Sequence, residues 1–334
     1  MKNTLFGILI SLLVFWGAGE LFVLIFEQAE PKTPPYDTAL KDDYMGWKPK
    51  GDYHFIGQMK DSKNEPYDIE IRTAPNGFRS YDDPNTDKRK ILFIGDSYTQ
   101  AVEVSNDKTF YHLLRDSLDI AVFAHGMAGY GNAQHFMMLR QYLAEVQPDM
   151  VVLQVCCNDF IDNYHLLEME SIYQVGLRRP YIYQDSTIEY HLPKPGIGPK
   201  IQWSGFFTFI YEKLRHLKKA NTDPEQMAEG LIANQGLDYP LFARSVEITE
   251  HLLQLIREEV GDIPLLVFSS DLFEPQLSEM ANICDRLDIP FTNAPSIAIR
   301  DAQQAKQTVN SIDGYHWNEA GHAVVGRALL PFLR

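Results

Sequence analysis

From Arg89 onward the sequence alternates short apolar runs with amphipathic segments, and no other feature narrows the fold as much. Ile91–Ile94 is an apolar run closed by Gly95, and Phe110–Leu118 follows with helical spacing. Ala121–Ala124 reads as a second strand and Ala133–Val146 as a second helix. Met150–Val155 is a third strand, apolar enough to be buried on both faces. Then come a helix over Leu241–Val260, a strand over Pro264–Phe268, a helix over Pro275–Leu287, a strand over Pro290–Asn293 and a last helix from Glu319. Strands alternating with helices build βαβ units. The expected fold is therefore a three-layer α/β/α sandwich around a mostly parallel sheet with right-handed crossovers. Sites in such sheets lie at the carboxyl ends of the strands, so chemistry is sought there.

The front of the chain is different. Leu5–Phe26 is almost unbroken in apolarity, with Glu20 its only charge. As a helix it would span about 33 Å, close to the hydrocarbon thickness of a bilayer. Lys2 ahead of it favours a cytoplasmic amino end, with the rest of the chain on the periplasmic or extracellular side. A buried core helix and a cleaved signal peptide are the alternatives, the latter because Gly17-Ala18-Gly19 supplies small residues; cleavage would leave a secreted protein. No cysteine precedes Cys156, which excludes a lipoprotein anchor. The expectation is an uncleaved transmembrane anchor over residues 1–27.

Residues 28–88 read as a linker and short β-rich lead-in. Pro31, Pro34 and Pro35 suit an extended tether, Tyr53–Ile56 and Tyr67–Ile71 are β-like, and Pro75-Asn76-Gly77 is a turn. Residues 89–334 form the main domain, with an insertion at about 160–238. The net charge of −15, from 30 basic and 45 acidic residues, argues against a nucleic-acid partner. Three cysteines make no disulfide scaffold, and Cys156, Cys157 and Cys284 read as small packing residues. No His/Cys cluster has metal-ligand spacing, so neither a metal nor a cofactor is expected.

The first strand runs straight into Gly95-Asp96-Ser97-Tyr98-Thr99. A serine at a strand-to-helix turn presents its hydroxyl at the sheet's edge, above helix amides that can hold an oxyanion. An ordinary helix cap would also favour Asp and Ser at this place. Catalysis needs a base as well, and Asp313-Gly314-Tyr315-His316 supplies one just ahead of the last helix. The Asp313 carboxylate can accept from one imidazole nitrogen of His316 and leave the other for the serine proton. His112, His135, His216 and His251 lie in helical patterns and His322 in the final helix, and these read as structural. After the second strand, Gly126, Gly129 and Gly131 permit a backbone amide to approach a substrate; after the third, Asn158 offers a side-chain amide. Glycine and asparagine are common in loops, so each signal is weak alone.

Taken together, these blocks resemble the SGNH hydrolases, the GDSL branch of serine esterases and lipases. Gly95-Asp96-Ser97-Tyr98-Thr99 is similar to the first block, Gly129 falls where the second block's glycine is expected, Asn158 followed by Asp159 matches the third, and Asp313 with His316 matches the last, with Asn318 and Gly321 following. The resemblance covers roughly residues 89–334. One position departs from the pattern: Cys156 stands where a glycine is usual, two before the asparagine. The resemblance implies an SGNH hydrolase-like, flavodoxin-like fold with Ser97 as nucleophile, His316 as base and Asp313 as its orienter. The Ser97 and Gly129 amides and the Asn158 side chain would form the oxyanion hole. Asn76-Gly77-Phe78-Arg79 is similar to a stretch in a membrane-anchored bacterial subset that tends to accompany cell-surface polysaccharide pathways.

The implied substrate is an acyl-ester small molecule or acylated glycan, and the implied reaction is ester hydrolysis through an acyl-serine. The same residues would serve an O-acyltransferase, and a non-catalytic binding or assembly protein on the same fold is the reading from another class. The insertion is rich in rings, among them Tyr164, Tyr173, Tyr181, Tyr183, Tyr190, Trp203, Phe206, Phe207, Phe209 and Tyr211. These would either cap the site or pack a small core of their own.

Overall fold

In the computed structural model, described over residues 2–26, 38–172, 177–191, 201, 203–220 and 223–334, an apolar helix comes first, α1 (Lys2–Phe26). Pro31, Pro34, Pro35 and Tyr173 lie outside the described residues. Two antiparallel hairpins follow, β1 (Ala39–Asp42) with β2 (Gly46–Pro49) and β3 (His54–Lys60) with β4 (Pro66–Arg72), then a short strand, β5 (Ser80–Tyr81). The alternating part begins with β6 (Lys90–Gly95), α2 (Ser97–Gln100), α3 (Phe110–Leu118), β7 (Ala121–Gly126), α4 (Asn132–Val146) and β8 (Met150–Val155). The next segment holds α5 (Asp159–Asp162), α6 (His165–Glu168), the hairpin β9 (Arg179–Ile182) and β10 (Ile188–His191), α7 (Gly205–Ala220) and α8 (Ala228–Gln235). The chain closes with α9 (Pro240–Val260), β11 (Leu265–Ser269), α10 (Gln276–Arg286), β12 (Phe291–Thr292), α11 (Ala294–Gln304) and α12 (Glu319–Leu329).

The central sheet has six strands in the order β12-β11-β8-β6-β7-β5. All neighbours are parallel except β5, which runs antiparallel to β7 at the edge. This is the mostly parallel α/β arrangement that the alternation of runs implies. Period-two alternation sorts side chains between its two faces. Leu92 and Ile94 of β6 point into a core with Phe123, Val151, Leu153 and Val267, covered by Leu139 of α4, Leu253 of α9 and Met280 of α10. Ile91 and Phe93 face the other way, onto Val122, Val152 and Phe268, beneath Phe110 of α3, Ile299 of α11 and Val325 of α12. Each such fully buried side chain contributes about 1.5–3 kcal/mol, which is why the strands read as unbroken apolar runs.

Strand β6 sits between β7 on one side and β8 on the other. The chain leaves β6 toward β7, then crosses back over the sheet to β8. That reversal opens a crevice at the carboxyl end of β6, where ligands bind in folds of this kind. The lead-in hairpin packs against the loop that follows β7. Trp47 of β2 is fully buried and donates Nε1–H to the Ala128 carbonyl at 3.2 Å, while the Tyr130 hydroxyl donates to the Trp47 carbonyl at 2.7 Å.

The aromatic insertion divides into two groups. Ile182 of β9 with Tyr164, Tyr183 and Tyr190 packs on Ala133 and Met137 of α4 and on Ile248 and Leu252 of α9. Phe206 and Phe209 of α7, with Trp203 just before it, pair with Phe15, Phe22 and Trp16 of α1. Those contacts account for most of the rings that sequence alone could assign either to a cap or to a separate core.

Candidate active site

Ser97 is the first residue of α2, immediately past the carboxyl end of β6. The turn that holds it is pinned from three sides. Asp96 caps α2, its side chain accepting from the Tyr98 N–H at 2.9 Å. Gln154 of β8, the one polar residue in that strand, accepts from the Asp96 N–H at 3.0 Å and from the Thr99 hydroxyl at 3.1 Å. Gly126 at the end of β7 leaves room for the turn, because a Cβ there would lie 2.4 Å from the Gln100 nitrogen and 2.6 Å from the Asp96 carbonyl oxygen. Any side chain at position 126 would push the serine turn off the sheet.

The loop before α12 brings His316 to this serine. His316 Nε2 lies 2.8 Å from Ser97 Oγ, and His316 Nδ1 lies 2.5 Å from Asp313 Oδ2. The other carboxylate oxygen, Asp313 Oδ1, accepts from the backbone N–H groups of Tyr315 and His316 at 2.9 and 3.0 Å and from the Ser311 hydroxyl at 3.1 Å. The carboxylate is therefore fixed before it fixes the imidazole. Tyr98 packs its ring against His316, with centroids 4.9 Å apart.

A second carboxylate faces the same nitrogen. Glu103 is buried, and its Oε1 lies 3.7 Å from His316 Nδ1. Burial raises the Glu103 pKa above the usual carboxylate range. The loop carrying it is held by Arg79, also buried, which donates to the carbonyls of Gln100, Ala101 and Val104. Burial by itself would lower the pKa of His316. The Asp313 hydrogen bond and the charges of Glu103, Asp313 and Asp96 outweigh it and raise the pKa to about 9. For Asp313 burial works upward, and the bonds from His316 and the loop N–H groups bring it down to about 2.

A base works only in its neutral form. With a pKa near 9, about one His316 in a hundred is neutral at pH 7, so kcat/KM should rise with pH until it levels off above that value. Replacing Glu103 with Gln removes a negative charge beside the imidazolium and so lowers the His316 pKa. The acidic limb of the profile should then move to lower pH and activity at pH 7 should increase. An E103Q profile superimposable on the parent would show that Glu103 does not act on His316.

Gly129 and Asn158 lie on the loops after β7 and β8, the two strands that flank β6. Of the three glycines after β7, Gly126 lies under α2 and Gly131 caps α4, whereas Gly129 is half-exposed with φ of +74°. Asn158 already has one partner, since its Nδ2 donates to Asp162 Oδ2 at 2.8 Å. A side-chain amide carries two N–H groups, so the second remains for a substrate. Arg179 ties both positions together from inside the insertion. It is buried, donates Nη1–H to the Gly129 carbonyl at 2.6 Å and Nη2–H to Asp162 Oδ1 at 2.7 Å, and lies 3.3 Å from Glu168 through Nε.

Cys156 adopts no left-handed backbone, so its position needs no glycine. Its N–H donates to Asp159 Oδ2 at 2.6 Å and its Sγ to Asp271 Oδ2 at 2.9 Å. The Cys157 side chain and burial push the Cys156 thiol well up in pKa, keeping it protonated. Two clusters of described residues gather metal-type ligand atoms, Cys156 with Cys157 and Asp271, and Glu103 with Asp313 and His316. The second is the His316 group already described. In the first, the Cys156 thiol and the Cys157 N–H both donate to Asp271 Oδ2. The three cysteines are free. Among the described residues His316 is the histidine hydrogen-bonded to Ser97; burial pushes His135 and His322 down to about 3, and His322 Nδ1 accepts from the Phe110 N–H at 3.3 Å.

Glu103, Gln154, Arg79 and Arg179 are the site's supports that the motif reading did not single out for a role. Gln154 carries a local signal, a lone amide inside an apolar strand, and Arg79 ends the Asn76–Arg79 stretch. Glu103 and Arg179 have none, because their partners lie far away in sequence.

No family model and no curated protein matches the chain. Solved structures similar to it include the acetylxylan esterase Axe2 from Geobacillus stearothermophilus, 13% identical over 73% of this chain and 93% of that one, with a TM-score of 0.40. TesA is 15% identical over 74% and 98%, with a TM-score of 0.42. LAE5, an alpha/beta hydrolase enzyme from the metagenome of Lake Arreo, Spain, is 13% identical over 73% and 94%, at 0.40. Likenesses this loose say nothing of what this chain acts on, which has to be argued from its own geometry.

Proposed function

We propose that this chain is a membrane-tethered serine esterase of the SGNH type that hydrolyses short acyl esters, O-acetyl groups on a carbohydrate among them, through an acyl-Ser97 intermediate. The observation that carries this reading is the unbroken hydrogen-bonded line from Ser97 Oγ through His316 to Asp313. In this mechanism neutral His316 takes the Ser97 proton at Nε2 as Oγ attacks the ester carbonyl carbon. The carbonyl oxygen becomes an oxyanion, held by the N–H groups of Ser97 and Gly129 and the free N–H of Asn158. Collapse breaks the ester C–O bond, and the departing alcohol takes the proton from His316. Water, deprotonated by the same nitrogen, then releases the acid and restores Ser97.

The net charge of −15 suits an uncharged ester better than a phosphorylated one. Residues Phe6–Phe26 have a mean hydropathy of 2.3 and are long and apolar enough to be a membrane span or a signal sequence. In this reading α1 stays attached and the catalytic domain lies on the extracytoplasmic side.

The test treats the full-length protein with a fluorophosphonate and locates the adduct by peptide mass, alongside acetate release from acetylated oligosaccharides. Ser97 should carry the label, and both Ser97→Ala and His316→Ala should abolish labelling and release. A folded protein that neither labels nor cleaves any ester would remove the enzyme reading in favour of a binding role.

A further inference from the structure

Helix α7 and α1 run side by side in the same direction. Trp16 meets Trp203, Phe15 meets Phe206, and Phe22 meets Phe209. Small residues allow the close approach, since a Cβ on Gly19 would sit 2.4 Å from the Phe206 ring and one on Gly205 would sit 3.4 Å from Val23. At the centre of the contact lies Glu20. Its carboxylate accepts from Trp16 Nε1 at 2.9 Å, from the Ser204 hydroxyl, and from the Gly205 N–H at 3.1 Å.

Two liabilities meet at this point. A carboxylate inside a membrane span is costly unless donors surround it. A helix that begins inside a bilayer exposes N–H groups that no water can satisfy. Here each supplies what the other lacks. The outer side of α7 fits the same environment, with Trp203 70% exposed and Phe207 and Leu214 also open. Lys213, Arg215, Lys218 and Lys219 then gather at the carboxyl end of α7, in a chain that is otherwise strongly acidic. Glu20 lies six residues before Phe26, about 9 Å along the helix. Lys213 lies eight residues past Gly205, about 12 Å along α7 and just beyond the level of Phe26, where headgroups begin. Aromatic side chains below, with Lys213 and further basic positions in the sequence above, match the order of an interface carrying anionic lipid.

We propose that α7 is a second membrane-embedded element: it begins within the outer half of the bilayer beside α1, is locked there by Glu20, and emerges with its basic end among anionic headgroups. The proposal rests on the reading of α1 as a retained span. It makes α1 a structural partner of the catalytic domain, and fixes that domain to the membrane at two points.

The test reconstitutes the full-length protein in vesicles of phosphatidylglycerol and phosphatidylcholine with brominated acyl chains and measures tryptophan quenching. Trp47 and Trp317 are fully buried in the catalytic domain and give an unquenched background. Trp203→Phe should remove about half of the quenched intensity and Trp16→Phe the rest, as both rings lie at acyl-chain depth. Glu20→Leu should keep the Trp16 component and lose that of Trp203. Quenching of Trp16 without Trp203 would overturn the embedding of α7 while leaving α1 as an anchor. Quenching of neither would overturn both readings, and a Trp203 component unchanged in Glu20→Leu would overturn the lock.

Discussion

Replacing His316 with alanine is expected to reduce kcat/KM for a simple ester by about 10⁴- to 10⁶-fold, with Ser97→Ala equally damaging and the double variant little worse than either. The two side chains act as one unit, 2.8 Å apart, so removing either leaves only binding and oxyanion stabilisation. Asp313→Asn should cost less, about 10⁴-fold at most. The amide oxygen can still accept from Nδ1–H, and Glu103, 3.7 Å from that nitrogen, favours the tautomer with its proton there. Loss of the Asp313 charge also lowers the His316 pKa, which enlarges the neutral fraction at pH 7. In the Asp313→Asn background, Glu103→Gln should therefore lower activity further, the opposite of its effect in the parent. Steady-state kinetics on these variants and on Glu103→Gln alone decides this, with circular dichroism to confirm folding. Equal losses for Asp313→Asn and His316→Ala in folded proteins would sink the role given to Glu103.

The sheet was legible from sequence because its strands are buried on both faces. A run such as Met150–Val155 has to be apolar throughout, and its bounds in the structure are those of the run. Helix α11 was not legible. Its segment, Ala294–Gln304, carries few large apolar residues, and only Ile299 and Ala302 among its residues are buried hydrophobics. The hairpin of β1 and β2 was hidden for a different reason: Gly46–Pro49 shows no alternation, and Trp47 is buried by a loop far along the chain. At the candidate site, Ser97, Asp313 and His316 stand out in sequence because each lies in a turn beside a strand or helix end, and the structure brings the three together. The groups that aim them do not stand out. Glu103 and Arg179 act across folds of the chain that no local pattern encodes, and Asn158 reveals its tie to Asp162 only in three dimensions.

That tie leads to the second large effect. Arg179 is the one cation that touches both the Gly129 carbonyl and Asp162 among the described residues, and Asp162 in turn holds the Asn158 amide. Burial raises Asp162, and although Arg179 and Asn158 work against that, its pKa still stands at about 7, so the clamp needs the guanidinium to keep the carboxylate charged near neutrality. Arg179→Met would strand Asp162 and Glu168 without a cation, a change that costs about 3–5 kcal/mol and threatens the fold itself. Arg179→Lys is the sharper variant. It keeps the charge, but a single ammonium cannot span a carbonyl and two carboxylates as the planar guanidinium does. Both oxyanion positions should loosen, and one displaced donor typically costs about 10²- to 10³-fold. Arg179→Lys is therefore expected to lower kcat by about 10²-fold with KM little changed, while fluorophosphonate labelling of Ser97 slows in parallel. A loss confined to KM, or a loss matched by a fall in Tm and restored on cooling, would mean that Arg179 supports only the fold. An unchanged kcat would mean that Gly129 and Asn158 hold their positions without it.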